Sequence, residues 1–346
     1  MVVSAVARRF REAFRVAGQP FHASDTLVRP KRFVAESLTM DTLLQQLING
    51  LTLGAVYALV ALGYTMVYGI IGLINFAHGE VVMIGTMVAF TVIVSLAGSG
   101  MPPLLILSVG LLIAVVACMV LGWGLERVAY RPLRHAPRLT PLITAIGMSI
   151  VLQNVAMIIW GRNYITFPPM IDKRIYEVGG ASFTNVQVAI VVLAALVMIG
   201  LTYLVQRTRM GMAMRATAQN QHVALLMGVD IDRVIAMAFI IGSALGALAG
   251  CMVGSYYEIA HYQMGFMLGL KAFTAAVLGG IGNMAGAMAG GLLLGIIEAL
   301  GAGYIGDLTG NFLGSHYQDI FAFMVLIIVL MFRPSGLFGE RTGDRA

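Results

Sequence analysis

Charge is the scarcest material in this 346-residue chain: Asp, Glu, Lys and Arg together make 11% of it, about half the share of ordinary soluble domains. Set against 59% hydrophobic residues and a mean hydropathy of +0.88, so little charge cannot cover a soluble surface, because surface grows too fast relative to volume. The chain reads as an integral membrane protein. Lysine is rarer still. Lys31, Lys173 and Lys271 are the whole set, and none stands in a Gly-x-x-x-x-Gly-Lys-Ser/Thr run. Without that phosphate-binding loop, any ATP that drives this protein is bound by another chain. The two cysteines, Cys118 and Cys251, both lie inside apolar runs, which suits core packing and not a disulfide or metal framework. No second histidine stands at metal-ligand spacing from His78, so no metal is expected.

What is present is long apolar sequence. The charge-free intervals are Thr42 to Gly79, Val81 to Leu125, Leu139 to Gly161, Val178 to Gln206, Val234 to Tyr257 and Ala272 to Ile297, with shorter ones after Glu298, including Ile320 to Phe332. About 20 apolar residues cross the hydrocarbon core as a helix. The Val81 interval contains "AGSGMPP", whose Gly and Pro residues mark a turn and divide it into two helices. The expectation is an all-α polytopic membrane bundle of about eight (eight to nine) crossings. Runs that are continuously apolar, without period-two alternation, argue against a barrel.

The first 40 residues differ. Seven basic residues, Arg8, Arg9, Arg11, Arg15, Arg29, Lys31 and Arg32, face three acidic ones, Glu12, Asp25 and Glu36, for a net of +4. No apolar core of signal-peptide length follows. Residues 1–40 read as a mobile or surface-lying extension, and Met40 stands where translation could instead begin. The membrane domain is expected over residues 41–339, with 340–346 as a cytoplasmic tail. The arginines Arg127, Arg131, Arg134 and Arg138, and those from Arg207 to Arg233, assign their loops to the cytoplasm, as does Arg333. The stretches from Arg162 to Asn185 and from Tyr304 to Gln318 then face outside. Three helices before the Arg127 loop put the start of the membrane domain outside, against the basic character of the extension.

Polar residues at membrane depth persist mainly where they face a bundle interior or water. Asn75, His78 and Glu80 close the apolar run "GYTMVYGIIGLINFAHGE"; Gln153 with Asn154, Lys271 and Glu298 are the others. Glycines Gly63, Gly69, Gly72 and Gly79 are expected to interrupt the helix there, giving a discontinuous helix lining a cavity. The alternatives are an interfacial cap for Glu80 and a structural hydrogen bond for His78. "KAFTAAVLGGIGNMAGAMAGGLLLGIIEAL", from Lys271 to Leu300, is a second glycine-rich run, suited to close helix packing. Its likeness to the first suggests inverted repeats. Its "LGGIGNMAG" lacks a following acidic residue at dinucleotide spacing, so it is not a nucleotide fingerprint. Between Gln206 and Val234, residues Met212 to Met227 are expected to form one short helix closed by Gly228, suited to insertion into a groove of a cytoplasmic partner.

The ordered set "NGLTLGAVYALVALGYTMVYGIIGLINFAHGE", "ERVAYRPLR", "AIGMSIVLQN", "RMGMAMRATAQN" with "LMGVDIDRVIAMAFIIG", and the Lys271 run resembles the LivH-type permease of bacterial branched-chain amino acid ABC transporters over about Leu43 to Gly339. The resemblance implies a permease subunit in the bacterial inner membrane, not an enzyme and binding no nucleic acid. It implies a related second permease (LivM-type), two cytoplasmic ATPase subunits carrying ATP-Mg, and a periplasmic binding protein. It makes residues 207–233 the segment that couples to an ATPase, with Arg215, Ala216 and Gly228 as foremost contacts and Arg207, Arg209 and Arg233 beside them. Asn75, His78, Glu80, Lys271 and Glu298 become candidates for the translocation path. Close relatives import urea or short amides, so these stand as alternative substrates. A stand-alone proton-coupled transporter using His78, Glu80 or Glu298 is the rival mechanism, and no Ser/His or paired-carboxylate motif supports an intramembrane hydrolase.

Overall fold

A computed structural model describes residues 40–134, 136, 137, 139–308 and 318–339. The expectations for residues 1–39, Arg138, the stretch from 309 to 317 and the tail 340–346 lie outside the described residues. Seven described helices are long and apolar enough to cross a membrane, and two shorter apolar helices accompany them. In chain order the described α-helices are α1 (Met40–Ile71), α2 (His78–Leu96), α3 (Pro103–Leu125), α4 (Leu139–Trp160), α5 (Asn185–Arg207), two further short ones, α6 (Arg209–Gln219) and α7 (Gln221–Leu226), then α8 (Ile231–Tyr257), α9 (Met264–Gly279), α10 (Met284–Leu308) and α11 (Gln318–Phe332). Two small antiparallel ribbons lie between helices: β2 (Ile175–Val178) with β3 (Ala181–Thr184), and β1 (Ile165–Thr166) with β4 (Ile259–Ala260).

Local chemistry sets these boundaries. The "AGSGMPP" turn splits α2 from α3 as expected, with Gly100 at φ +73° and Pro103 opening α3, where a missing N–H costs nothing. Gly72, at φ +71°, donates its N–H to the Tyr68 carbonyl and ends α1. A capping box, Thr184 with Gln187, starts α5, and the Asp230 side chain accepts the Arg233 N–H to start α8.

The glycine reading needs correction. Gly63 and Gly69 sit inside an unbroken α1, and only residues 72–77 leave the helix. Gly63 is needed for approach: a Cβ there would press on the His78 ring, with the Gly242 carbonyl 3.2 Å away. Because His78, the first residue of α2, lies beside Gly63, eight residues before the end of α1, α2 begins about 12 Å inside that end. The second glycine run does break, at residues 280–283, where Gly280 and Gly282 have φ of +106° and +94°.

The packing has an internal symmetry. Helix α1 packs on α10 as α8 packs on α3; α2 packs on α3 as α9 packs on α10; α2 meets α8 as α9 meets α1. Relabelling α1–α4 as α8–α11 therefore preserves the main pairs, while α1 and α8 run in opposite directions, as inverted repeats require. The two self-pairs, α1 with α8 and α2 with α9, meet glycine to glycine at Gly63 with Gly242 and at Gly79 with Gly265. Helix α1 is buried along most of its length, whereas α3, α4 and α5 leave most of their residues partly or fully exposed, the pattern of a central helix within lipid-facing ones.

Candidate translocation and coupling site

Asn75, His78 and Glu80 are all buried, yet each turns to a different neighbour. Asn75 occupies the 72–77 break. Its Oδ1 accepts the Tyr130 hydroxyl at 2.9 Å and the Ala77 N–H at 3.1 Å. His78 packs edge-on against the Tyr64 ring at 4.9 Å. Glu80 turns to α4, where its Oε1 accepts the Ser149 hydroxyl at 3.0 Å and the Gln153 amide at 2.7 Å. Glu80 is therefore a buried partner of α4 and not an interfacial cap. Gln153 was legible as a polar residue at depth; Ser149 and Tyr130 carried no signal, since hydroxyls are common in membrane helices.

Lys271 and Glu298 come together. The Lys271 Nζ lies 2.7 Å from Glu298 Oε1, 2.7 Å from Asp319 Oδ1 at the start of α11, and 3.5 Å from the Tyr57 hydroxyl of α1. Asp319 was missed, although an acid opening the last apolar run was a usable signal. The five path candidates thus form two groups, one around the first turn of α2 and one joining α1, α9, α10 and α11. None of them lines either of two clefts on the arginine-rich face, of about 730 and 1090 Å³.

The segment expected as one helix from Met212 to Met227 is two. Asn220, at φ −159°, leaves the helical region and its side chain accepts the Val223 N–H, so it ends α6 and caps α7. Thr208 caps α6 in the same way through Gly211. Gly211 rests on the carbonyls of Leu204 and Val205 with no room for a Cβ. Helix α6 buries Gly211, Met214 and Thr217 at helical spacing and presents Arg215 outward, with Ala216 half-buried. Helix α7 exposes Val223, Leu225, Leu226 and Met227, the last two at 73% and 79%. Gly228, at φ +82°, closes it as expected, and the Gln221 amide donates to the Ile70 carbonyl at 2.8 Å, fastening α7 to the end of α1. Arg207, Arg209 and Arg233 are exposed on the same elbow, where Arg233 pairs with Asp230 at 2.9 Å.

Residues 46–330 match the family described as "Branched-chain amino acid transport system / permease component". The chain belongs to that family. It is 47% identical over 303 residues to the high-affinity branched-chain amino acid transport system permease protein LivH of Escherichia coli K12, covering 86% of this chain and 96% of the relative. Identity and coverage are the same for the corresponding permease protein BraD of Pseudomonas aeruginosa. A probable branched-chain amino acid transport permease of Methanocaldococcus jannaschii is 28% identical over 81% of this chain and 88% of its own length. No solved structure matches. With seven membrane-capable helices among the described residues, the permease is a multi-pass protein of the inner membrane.

The permease also carries an ion network that sequence reading did not find. After α3 the chain makes a π-helical turn, Glu126–Tyr130, and then a short 3-10 turn, Arg131–Leu133. Arg134 pairs with the buried Glu126 and with Asp232 of α8, and Arg131 also pairs with Asp232. From Asp232, in the first turn of α8, a continuous set of contacts runs through Arg134 and the π turn to Tyr130, then to Asn75 and the first turn of α2. A π turn leaves backbone groups off the regular ladder and often marks a functional site.

Proposed function

We propose that this chain is the permease subunit of an ATP-driven importer of branched-chain amino acids, working by alternating access in a bacterial inner membrane. The family match over residues 46–330 carries the reading. The relatives are transport permeases by description, and the chain holds no phosphate-binding loop, so hydrolysis of ATP-Mg falls to two separate ATPase subunits. A LivM-type second permease and a periplasmic binding protein complete the assembly in this reading.

The elbow of α6 and α7 supplies the docking surface. Four apolar side chains on a six-residue helix and its cap, exposed on the arginine-rich face, suit a groove in a soluble partner better than water. Arg215, Ala216 and Gly228 fall on this elbow. An ATPase gripping it pulls on Asp232 and on the end of α1 together, and so on both inverted halves. The stand-alone proton-carrier alternative is less well supported, because His78 is held by close packing and Glu80 by two hydrogen bonds.

Purification of the tagged chain from its native membrane, followed by mass spectrometry and reconstitution, tests this. The reading expects ATPase chains and a second multi-span permease in the same complex, and leucine uptake that requires ATP and the binding protein. Recovery of the chain alone, active in gradient-driven uptake without ATP, overturns it.

A further inference from the structure

Five ionisable side chains from five helices meet beneath the outer half of the bundle: Tyr57 of α1, Tyr257 of α8, Lys271 of α9, Glu298 of α10 and Asp319 of α11. One basic side chain there meets two acidic ones in the least forgiving solvent a protein meets. Glu298 is 2% exposed, and its Oε2 makes no hydrogen bond among the described residues. The Lys271 ammonium has three donors. One hydrogen-bonds Glu298 and one reaches the Tyr57 hydroxyl at 3.5 Å, while Asp319 Oδ1 lies 2.7 Å from the nitrogen without forming a hydrogen bond. Access exists from the Asp319 side, whose side chain is 32% exposed beside the half-exposed Tyr257.

We propose that Lys271, Glu298 and Asp319 form a subsite for the charged end of a zwitterionic α-amino acid. The substrate carboxylate takes the Lys271 donor that Tyr57 holds loosely. Its ammonium takes Asp319 and the unpartnered Glu298 oxygen. A bound zwitterion offers one charge of each sign, one to the loosely held donor and one to the free acceptors. A neutral urea or amide presents neither a carboxylate to the Lys271 donor nor an ammonium to the Glu298 acceptor, and so the cluster selects against the alternative substrates of related importers. The inference rests on the proposed import of amino acids and assigns where their head group is recognised.

Saturation-transfer NMR on the purified complex, with no binding protein present, tests it. Leucine is the probe, with 4-methylpentanoate (lacking the ammonium) and 3-methylbutylamine (lacking the carboxylate) as competitors. Asp319→Asn leaves the Lys271–Glu298 pair intact, so the fold survives. Lys271→Met combined with Glu298→Gln removes that pair together, which a protein tolerates better than losing one partner. The expected result is leucine saturation by the parent complex, loss in both variants by about tenfold or more, and weak competition from either single-charge analogue. Leucine saturation equal in parent and variants places the head group elsewhere and overturns the proposal. So does leucine import at the parent rate by Asp319→Asn. A complex that imports no α-amino acid at all fails the functional reading itself, a separate result visible in the uptake assay.

Discussion

Removing the Tyr130 hydroxyl is the sharpest perturbation of the path from elbow to α2. Tyr130 is 1% exposed, and its ring packs on Phe239 at a centroid distance of 5.0 Å, so Tyr130→Phe keeps the apolar contacts and deletes one oxygen. Its bond to Asn75 Oδ1 is lost, but that oxygen still accepts the Ala77 N–H at 3.1 Å and is not orphaned. The cost is therefore that of one neutral hydrogen bond, about 1 kcal/mol. Asn75→Leu goes further, since both the Tyr130 hydroxyl and the Ala77 N–H lose their acceptor, and about 2–3 kcal/mol is expected. The double variant counts the shared bond once, so the two costs fall short of additivity by about 1 kcal/mol. Denaturant unfolding in mixed micelles gives the three stabilities, and leucine uptake per ATP hydrolysed in proteoliposomes gives the coupling. Both single variants should keep the ATPase subunits bound while moving less leucine per ATP. Strict additivity, or unchanged uptake per ATP in both, would refute the argument that Tyr130 positions the 72–77 break.

Leu226→Asp with Met227→Asp should abolish co-purification of the ATPase chains while leaving the fold intact. Each side chain is largely exposed in the isolated permease and stands to bury about 1.5–3 kcal/mol of apolar contact on docking. Gly228→Ala should weaken the same docking, because a Cβ at φ +82° costs about 1–2 kcal/mol and loosens the end of α7. Lys271→Met alone, which strands Glu298 and Asp319, should lower folded yield by the equivalent of about 3–5 kcal/mol, and adding Glu298→Gln should recover much of it; yields are read by detergent size-exclusion chromatography. Gly295→Val should block the α1–α10 contact, where even a Cβ meets the Gly54 backbone, and the chain should fail to reach the membrane as a monodisperse species.

The helix count and the "AGSGMPP" turn were legible because they depend on local signals: apolar length, and Gly and Pro that cannot continue a helix. The polar residues at depth were legible as anomalies for the same reason. Their partners were not. Tyr130 lies 55 residues from Asn75, Ser149 lies 69 from Glu80, and Asp319 belongs to another helix than Lys271; only packing brings them together. The break at Asn220 was visible in principle, since asparagine before an apolar turn is a helix-start signal, but the surrounding Met and Ala residues favoured one continuous helix. The ribbons around residues 165–184 and 259–260 are too short to leave a period. Gly63 and Gly79 misled because glycine serves both to end a helix and to let two helices touch, and sequence does not say which.

The glycine self-pairs at the centre have a mechanical consequence. Where α1 crosses α8 and α2 crosses α9, glycine backbone meets glycine backbone, at Gly63 with Gly242 and at Gly79 with Gly265. Interlocked side chains would have to leave their rotamers before one half of the bundle could shift on the other. Smooth crossings act instead as a bearing, and a small tilt applied at the arginine-rich end reaches the opposite end with little dissipated in repacking.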